Sequence, residues 1–466
     1  MEILMIVIFV LGYIAIATEH QIKVDKAATA LVTGMSIWAI LVFVFKVDLG
    51  VSGYALQEVI EKGGHADFFD GHGPKYQKGF SHHLFDIANI LFFLMGAMTI
   101  VELVDAHEGF SVITNRIKTN KAPKLMWIIC VLTFFFSAIL DNLTTSIVMI
   151  SLLRKLIADK QTRWLYAGMV VVAANAGGAW SPIGDVTTTM LWIKGQLPDF
   201  LVMIETILIP SMVAMIVPLL VVSYTMKGKT IEKPLAANSV GHYINPTTPF
   251  ERRLVFTLGV LGLLFVPVFK TVTHLPPFTG MMFSLGILWA VTEVIHRSKN
   301  KEEKHHLSVI GVLQKIDVAS VLFFLGILLA VSGLQEIGHL NQMADWLDKN
   351  LKNLYAINVS IGFLSAIVDN VPLVAAAQGM YEIATPEMIE AASDPTRLAA
   401  FEKNGQFWQF LAYCAGVGGS SLIIGSAAGV AVMGLERIDF FWYLKKISWL
   451  AIIGYLAGAA VYILLA

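Results

Sequence analysis

Two Asp-Asn pairs lie in the middle of long apolar stretches of the chain, Asp141-Asn142 and Asp369-Asn370. A carboxylate in apolar surroundings is costly unless it is hydrogen-bonded, paired or bound to a cation. Carboxylates, amide oxygens and the backbone carbonyls freed by a helix break are oxygen ligands of the kind that hard cations prefer. We therefore expect these four residues to bind Na⁺, or a proton in its place.

The composition excludes a water-soluble protein. Of the 466 residues, 56% are hydrophobic and 14% are charged, whereas an average soluble domain has about 25% charged residues. Apolar runs long enough to cross a hydrocarbon core of about 30 Å recur from one end of the chain to the other. The net charge of −1 provides no basic surface for nucleic acid. The sequence therefore predicts an all-α polytopic membrane protein that is not an enzyme and needs no cofactor.

Ten apolar segments are predicted to cross the membrane as helices. Their limits follow from the apolar runs and from the Gly, Pro and charged residues that bound them. They are residues 3–18, 27–45, 86–105, 164–193, 201–226, 254–269, 277–296, 317–337, 407–433 and 447–465.

The two stretches that carry the Asp-Asn pairs, 125–155 and 354–382, are predicted to be re-entrant hairpins. A charged break at membrane depth is tolerated only where protein or a water-filled cavity surrounds it. Both flanks of the first stretch are basic, so they belong on the same, cytoplasmic side. This topology places most of the 33 lysines and arginines in cytoplasmic loops. If each stretch were a full crossing instead, the basic loops would be scattered over both faces.

An internal repeat relates the two halves of the chain. Residues 136–142 (FSAILDN) match residues 364–370 (LSAIVDN), and each copy is followed by a helix broken by glycines. Five crossings in each half is an odd number, so the copies have opposite orientations, as in many secondary transporters. We therefore predict a first inverted repeat over 1–226, a cytoplasmic linker over 227–253 and a second repeat over 254–466.

The glycine-broken helices are expected to face the hairpin tips and to add oxygen ligands. In the first half, residues 175–185 (NAGGAWSPIGD) end with Asp185, and in the second half Ser426 takes the place of this aspartate. A single carboxylate that holds either a proton or Na⁺ is sufficient for exchange of the two ions, because desolvation favours protonation while a bound cation opposes it. The predicted ion-binding and proton-binding residues are Asp141, Asn142, Thr144, Asn175, Asp185, Thr187, Thr188, Asp369, Asn370, Ser420 and Ser421.

Structural explanations compete with these assignments. Asp141 and Asp369 could only cap the helices that follow them, and Asp185 could be an N-cap rather than a third functional carboxylate or part of a proton path. Asp86 and Asp317 match across the repeat and are predicted to start their helices, where capping and function are equally consistent with the sequence.

Other ionisable and polar groups are weaker candidates. Glu102 lies near the end of an apolar helix, where a role in a proton path is one interpretation. The segment from His65 to His83 is predicted to be a solvated loop rather than a metal site or a pH sensor, because its ligand spacing is not tight. Cys130 and Cys414 lie inside apolar segments and are expected to be buried free thiols.

Four motifs in order resemble the NhaD-type sodium:proton antiporters of the ion transporter superfamily. They are AILDNLTT around Asp141, NAGGAWSPIGDVTT from Asn175, AIVDNVP around Asp369 and GGSSLIIGSAAG ending at Gly429. The resemblance covers nearly the whole chain, and a longer His-rich stretch before Phe85 departs from it. It implies exchange of Na⁺ or Li⁺ for protons in pH and salt homeostasis, in the inner membrane of a bacterium. It also implies a homodimer and an elevator-like motion of the part that carries the hairpins.

Two rival functions differ from cation exchange in their predicted site. An anion carrier of the same superfamily, for dicarboxylate or arsenite-like substrates, resembles this chain in architecture but typically has a neutral hairpin tip. Fixed charges on Asp141 and Asp369 would repel an anion. An intramembrane hydrolase would use two aspartates as a catalytic dyad, but the repeat places each aspartate in its own hairpin and no protease motif accompanies them.

Overall fold

The computed structural model describes residues 2–17, 19–45, 79–114, 117, 119–232, 247–392 and 394–466. Within these ranges the chain is helical, and the only β-type pairing is an isolated bridge between Lys121 and Thr230. Apolar helices satisfy their own backbone hydrogen bonds, as a segment surrounded by lipid must do. The prediction of an all-α membrane protein is confirmed.

Seventeen helices of eight or more residues are named here in chain order, counting only those in the described ranges. They are α1 (Glu2–Ala17), α2 (Lys26–Phe45), α3 (Gly79–Ala106), α4 (Ala122–Leu140), α5 (Asn142–Leu156), α6 (Lys160–Gly178), α7 (Val186–Ile193), α8 (Phe200–Thr225), α9 (Pro249–Thr273), α10 (Pro277–Ile295), α11 (Val318–Glu336), α12 (His339–Leu351), α13 (Leu354–Ser365), α14 (Asn370–Met380), α15 (Gln406–Gly418), α16 (Ala427–Glu436) and α17 (Trp449–Leu465).

Shorter helical segments connect these helices. The α-helical ones are Glu19–Ile22, Ser111–Thr114, Lys301–Leu307, Val309–Leu313, Pro386–Glu390, Pro395–Ala399 and Phe440–Tyr443. Two 3₁₀ segments, His296–Ser298 and Gly419–Ser421, and one π-helical turn, Leu444–Ser448, complete the described chain.

Eight helical segments in the described part of the chain are long and apolar enough to cross a membrane. This assessment rests on length and composition alone. The segments are Lys26–Val44, Phe80–Ala106, Ala122–Leu140, Phe200–Thr225, Pro249–Thr273, Pro277–Ile295, Val318–Glu336 and Phe440–Leu465. The protein is therefore a multi-pass membrane protein, while the ten crossings and the two hairpins stay predictions.

The predicted broken helices are broken at the expected places. The segment 164–193 divides into α6 and α7, and the segment 407–433 divides into α15 and α16. Both breaks follow a Gly-Gly pair, where the helix loses the side chains that would stabilise its next turn. Two predicted starts are late by about two turns, because the segment predicted at 86–105 is helical from Gly79 and the segment predicted at 447–465 is helical from Phe440. The segment predicted at 254–269 is also too short, since its helix is Pro249–Thr273.

The described chain divides into two compact units. One consists of Met1–Leu91, Asp317–Lys352 and Ala375–Glu382, and the other of Phe92–Ile316, Asn353–Val374 and Ile383–Ala466. Each unit contains residues from both halves of the sequence. The predicted inverted repeat relates two halves of the sequence by symmetry, whereas these units are defined by their internal contacts. The units therefore do not test the repeat, which stays a prediction. Residues 233–246 of the predicted linker lie outside the described ranges.

In the first unit, α2 packs along α11. The two helices approach so closely that a Cβ at Gly34 would collide with the carbonyl oxygen of Gly326. Small residues allow this close approach in membrane helices. The indole Nε1 of Trp38 donates to the carbonyl oxygen of Leu329 at 2.9 Å, which fixes the pair in register.

In the second unit, α4, α5 and α6 pack against one another, α8 packs along α17, and α13 packs along α15. The helix α16 contacts both α5 and α6. All the residues predicted to bind ions belong to this unit. Its helices therefore provide the framework of the site.

Candidate functional site

Asp141 occupies the break between α4 and α5. Its φ of 77° is in the left-handed region, which is uncommon for a residue other than glycine. The carboxylate accepts hydrogen bonds from the backbone N–H of Thr144 at 2.8 Å and from the Thr144 hydroxyl at 2.7 Å. Asp141 therefore caps α5, and its predicted neighbour Thr144 contacts both of its oxygens.

Asp369 lies at the corresponding break before α14. Its Oδ1 accepts a longer hydrogen bond, 3.4 Å, from the backbone N–H of Val371. The capping interpretation therefore describes part of the geometry at both tips. A cap uses the lone pairs that point toward the helix, and a carboxylate has about four lone-pair positions in total, so capping is compatible with a second ligand.

Asp185 is the N-cap of α7 and is buried. Its Oδ1 accepts from the backbone N–H of Thr187 at 2.9 Å and from the Thr187 hydroxyl at 2.8 Å. The hydroxyl of Thr188 donates to the carbonyl oxygen of Asp185 at 2.9 Å. The two predicted threonines thus hold the aspartate in place through their hydroxyl hydrogens. Each hydroxyl oxygen keeps lone pairs, so their role as ligands stays a prediction.

The carboxylate of Asp185 joins the two Asp-Asn motifs. The Nδ2 of Asn142 donates to Asp185 Oδ2 at 2.5 Å, and the Nδ2 of Asn370 lies 3.3 Å from both oxygens of the same carboxylate. One residue from each half of the sequence therefore bonds to one buried anion. The sequence did not predict this junction, because these contacts join residues far apart in the chain.

Asn175 extends the network to the second broken helix. Its Oδ1 accepts from the Nδ2 of Asn142 at 3.1 Å, and its own Nδ2 donates to the hydroxyl of Ser426 at 2.9 Å. Ser426 is the N-cap of α16, as Asp185 is of α7. Ser426 takes the place of Asp185 in the repeat and was expected to add an oxygen in the second half. Its hydroxyl contacts Asn175, while a role as an ion ligand stays a prediction.

The local geometry of the two halves is similar. The backbone angles φ and ψ are −149° and 149° at Asp185, and −149° and 153° at Ser426. The hydroxyl of Ser137 donates to the carbonyl oxygen of Ala174 at 2.6 Å. Its repeat equivalent makes the matching bond, from Ser365 to the carbonyl oxygen of Ala415, at 3.0 Å. These serines, repeated in both copies of the motif, were a sequence signal that the predicted site omitted.

A glycine in each broken helix meets backbone of the neighbouring helix. A Cβ at Gly177 would collide with the carbonyl oxygen of Phe134, and a Cβ at Gly418 would collide with the carbonyl oxygen of Gly362. These contacts occur at equivalent positions of the repeat. The glycines therefore allow each broken helix to lie directly against the helix that leads to an Asp-Asn pair.

The predicted serines of the second half are not brought into the network. The hydroxyl of Ser420, in the 3₁₀ segment after α15, donates to the carbonyl oxygen of Val417 in the last turn of α15 at 2.6 Å. The hydroxyl of Ser421 is buried and has no hydrogen-bond partner among the described residues. Neither hydroxyl contacts the Asp185 carboxylate, so their role as ligands stays a prediction.

Two further buried hydroxyls lie in the first turn of α5. Thr145 Oγ1 and Ser146 Oγ have no hydrogen-bond partner in the described part of the chain. A buried hydroxyl without a partner is costly, and it is satisfied by a water molecule or an ion. These oxygens, beside Asp141 and Asn142, are of a type that suits a hard cation.

The charge of the site is negative. Asp141 and Asp369 both interact electrostatically with Asp185. No group of three or more His, Cys, Asp or Glu side chains suited to hold a metal ion occurs in the described ranges. A cation bound here would therefore depend on amide, hydroxyl and backbone oxygens as well as on carboxylates. A mixed oxygen set of this kind fits Na⁺ better than a transition metal, which prefers nitrogen or sulfur ligands.

The other ionisable candidates lie outside this network. Asp317 caps α11 by accepting from the backbone N–H of Ser320 at 3.1 Å. The prediction that Asp86 starts its helix is wrong, since α3 begins at Gly79 and Asp86 lies within its second turn, 3.7 Å from the Nε2 of His82. The terminal residues of an apolar run do not define a helix start when a polar segment continues the helix.

The remaining predictions concern Glu102, the two cysteines and the His65 to His83 segment. Glu102 faces Lys315, with 3.9 Å between its Oε1 and the lysine Nζ. Cys130 and Cys414 are buried free thiols, as predicted. In the His65 to His83 segment, residues 65–78 lie outside the described ranges. The prediction of a solvated loop is wrong for residues 79–83, because they begin α3 and His83 is buried with its Nε2 2.9 Å from Glu336 Oε2.

Comparisons with known proteins place this geometry in a family. A family model described as "Citrate transporter" matches residues 13–401. "Sodium/proton antiporter 1" of Arabidopsis thaliana is 42% identical over 462 residues, which cover 99% of this chain and 72% of that protein. "Sodium/proton antiporter 2" of the same plant is 40% identical over 466 residues, covering 98% of each protein.

A bacterial relative matches over a similar length. The "Na(+)/H(+) antiporter NhaD" of Alkalimonas amylolytica is 29% identical over 486 residues, which cover 98% of this chain and 89% of that protein. The chain therefore belongs to the citrate transporter family and, within it, to the NhaD-type proteins.

Proposed function

We propose that this protein exchanges sodium ions for protons across a membrane. The observation that carries the proposal is the buried Asp185 carboxylate, which accepts hydrogen bonds from Asn142 and Asn370, one from each Asp-Asn motif. The relatives whose names describe sodium/proton antiport match nearly the whole chain. Both ions compete for a single negative cluster, so binding of one releases the other.

The binding site would combine the predicted hairpin tips with the broken helices. Na⁺ would be held at Asp141, Asn142, Asp369 and Asn370, and Asp185 would contribute a third carboxylate. The unpartnered hydroxyl of Thr145 supports an ion or a water in this region. The same oxygen ligands suit Li⁺, a smaller hard cation of the same charge.

The proposed architecture has ten crossings and two re-entrant hairpins in an inverted repeat. Supporting it are the helix breaks at Asp141 and Asp369 and the matched backbone angles at Asp185 and Ser426. A homodimer, an elevator-like motion and a location in a bacterial inner membrane belong to the same proposal and rest on the resemblance. Relatives occur in a plant as well as in bacteria, so the host membrane is the least constrained part of it.

An anion carrier is the second candidate, since the description of the family model names citrate. It is disfavoured because Asp141 and Asp369 each interact electrostatically with Asp185, and a polyvalent anion would be repelled unless these carboxylates were neutralised.

The test is ion-driven proton movement in everted membrane vesicles. Addition of Na⁺ or Li⁺ to vesicles acidified by respiration is expected to dissipate the proton gradient. The loss of the gradient is measured as the recovery of fluorescence of a pH-sensitive dye. Vesicles without the protein provide the control. If neither cation moves protons but citrate accelerates the recovery, cation exchange is refuted and the anion carrier takes its place.

A further inference from the structure

A buried acidic residue lies at the end of α16 that is remote from the candidate site. Glu436 is the last residue of this helix, and its side chain is 1% exposed. Its Oε1 lies 2.6 Å from the Nε of Arg154, and its Oε2 lies 2.7 Å from the Nε of Arg163. The two oxygens of one carboxylate therefore bind two different guanidinium groups.

Backbone contacts reinforce these ion pairs. The indole Nε1 of Trp164 donates to the carbonyl oxygen of Glu436 at 3.0 Å, and Arg154 Nη2 donates to the carbonyl oxygen of Leu435. Arg163 Nη1 also donates to the carbonyl oxygen of Ile157, at 3.0 Å. The end of α16 is thereby attached to the last turn of α5, to the first turn of α6 and to the connection between them.

The same three helices carry site residues at their opposite ends. Asn142 is the first residue of α5, Asn175 lies in the last turn of α6, and Ser426 caps the start of α16. The hydrogen bonds Asn142 to Asn175 and Asn175 to Ser426 join these ends. At 1.5 Å per residue, the twelve-residue step from Asn142 to Arg154 along α5 spans about 18 Å. The three helices are therefore connected at the site and again about three turns away.

We propose that Glu436 is a positioning residue for the ion site. By fixing the end of α16 against α5 and α6, it sets how far Ser426 reaches toward Asn175. The hydroxyl of Ser426 in turn accepts a hydrogen bond from the Nδ2 of Asn175. This bond orients the Asn175 side chain so that its Oδ1 faces Asn142. This assignment rests on the proposed function, because it predicts a change in sodium binding.

The energetics of the cluster support a fixed arrangement. A buried carboxylate needs its partners, and removal of one member of such a pair leaves an uncompensated charge. Arg163 is the more buried partner, with an 18% exposed side chain, while Arg154 is 48% exposed. The ion pair with Arg163 is therefore screened less by solvent, and we expect it to contribute more to the position of α16.

The test compares Glu436→Gln with Glu293→Gln. Glu293 forms an exposed ion pair with Lys304 at 2.9 Å, away from the site helices, and is the matched control. Two readouts are needed: the half-saturating Na⁺ concentration, separated from the maximal rate, in everted vesicles, and the rise in Tm that Na⁺ gives the purified protein. We expect Glu436→Gln to raise the half-saturating concentration by about fivefold or more, the size of a contact coupling of about 1 kcal/mol. Glu293→Gln should leave it unchanged.

A double-mutant comparison separates positioning from general stability. If Glu436 acts through Ser426, then Glu436→Gln should add little to the effect of Ser426→Ala on sodium affinity, whereas independent effects multiply. Arg154→Gln leaves Glu436 paired with Arg163, and it should fold and shift the affinity in the same direction by a smaller factor. If Glu436→Gln does not accumulate in the membrane, the sodium affinity of Arg154→Gln tests the proposal instead.

The outcomes distinguish two failures. If the wild-type protein shows exchange and Na⁺ raises its Tm, but Glu436→Gln or Arg154→Gln lowers only the basal Tm, the positioning role is refuted and the cluster is structural. Independent multiplication with Ser426→Ala also refutes it. If Na⁺ has neither effect on the wild-type protein, the proposed function fails, and this assignment falls with it.

Discussion

Replacement of Asp185 by Asn removes one charge from the site at nearly constant shape. Asp185 accepts hydrogen bonds from Asn142 at 2.5 Å and from Asn370 at 3.3 Å, while its other contacts go to Thr187. In the Asp185→Asn variant, an amide NH₂ group would face the NH₂ groups of the two asparagines. Donors would then meet donors, and the junction between the halves would lose its acceptor.

The loss of attraction for a cation follows from Coulomb's law. Two unit charges 4 Å apart interact by about 4 kcal/mol at an effective dielectric constant of about 20. Since each 1.4 kcal/mol is a factor of about ten in affinity, sodium binding should weaken by up to about a thousandfold.

The assay is Na⁺-driven recovery of dye fluorescence in everted vesicles, measured over a range of Na⁺ concentrations. Asp317→Asn is the matched control, because it makes the same chemical change at an N-cap that accepts from Ser320 and lies outside the site. Because Asn caps helices about as well as Asp, this control should change stability little and leave the sodium affinity unchanged. A half-saturating Na⁺ concentration for Asp185→Asn close to the wild-type value, in correctly folded protein, would refute the assignment of Asp185 to the site.

Three further expectations concern packing, competition and pH. Gly177→Ala should destabilise the protein by roughly 1–3 kcal/mol and reduce exchange, because its Cβ meets backbone, whereas Gly434→Ala, with open space around it, should have a normal Tm. Lowering the pH should raise the half-saturating Na⁺ concentration up to about tenfold per unit if one proton competes with one ion, and a pH-independent value would contradict competition. Burial lowers the pKa of His107 to about 4 from 6.5, so the unfolded chain binds the extra proton and stability falls as the pH drops from about 6.5 toward 4. In His107→Gln this loss of Tm at low pH should be smaller. If the pH profile of Tm is the same as in the wild-type protein, protonation of His107 is not the cause of the loss.

The sequence alone determined the class of protein and most of the helix limits. Apolar runs and their Gly, Pro and charged boundaries are local signals, and a membrane requires each spanning segment to satisfy its own backbone. The breaks at Asp141, Asp369 and after the two Gly-Gly pairs were also predicted from local signals, namely a charged pair within an apolar stretch and adjacent glycines. The start of α3 was missed because a polar helical extension from Gly79 carries no apolar signal.

The sequence also singled out most of the side chains of the hydrogen-bond network around Asp185, since the two motifs repeat and Asp185 follows a glycine-broken helix. Only the tertiary structure decided how they meet. It placed Asp185 between Asn142 and Asn370, linked Asn175 to Ser426, and left Ser420 bonded to Val417 in the preceding turn. These contacts depend on which helix faces which, and that is determined by the packing of the whole unit rather than by any local pattern of residues.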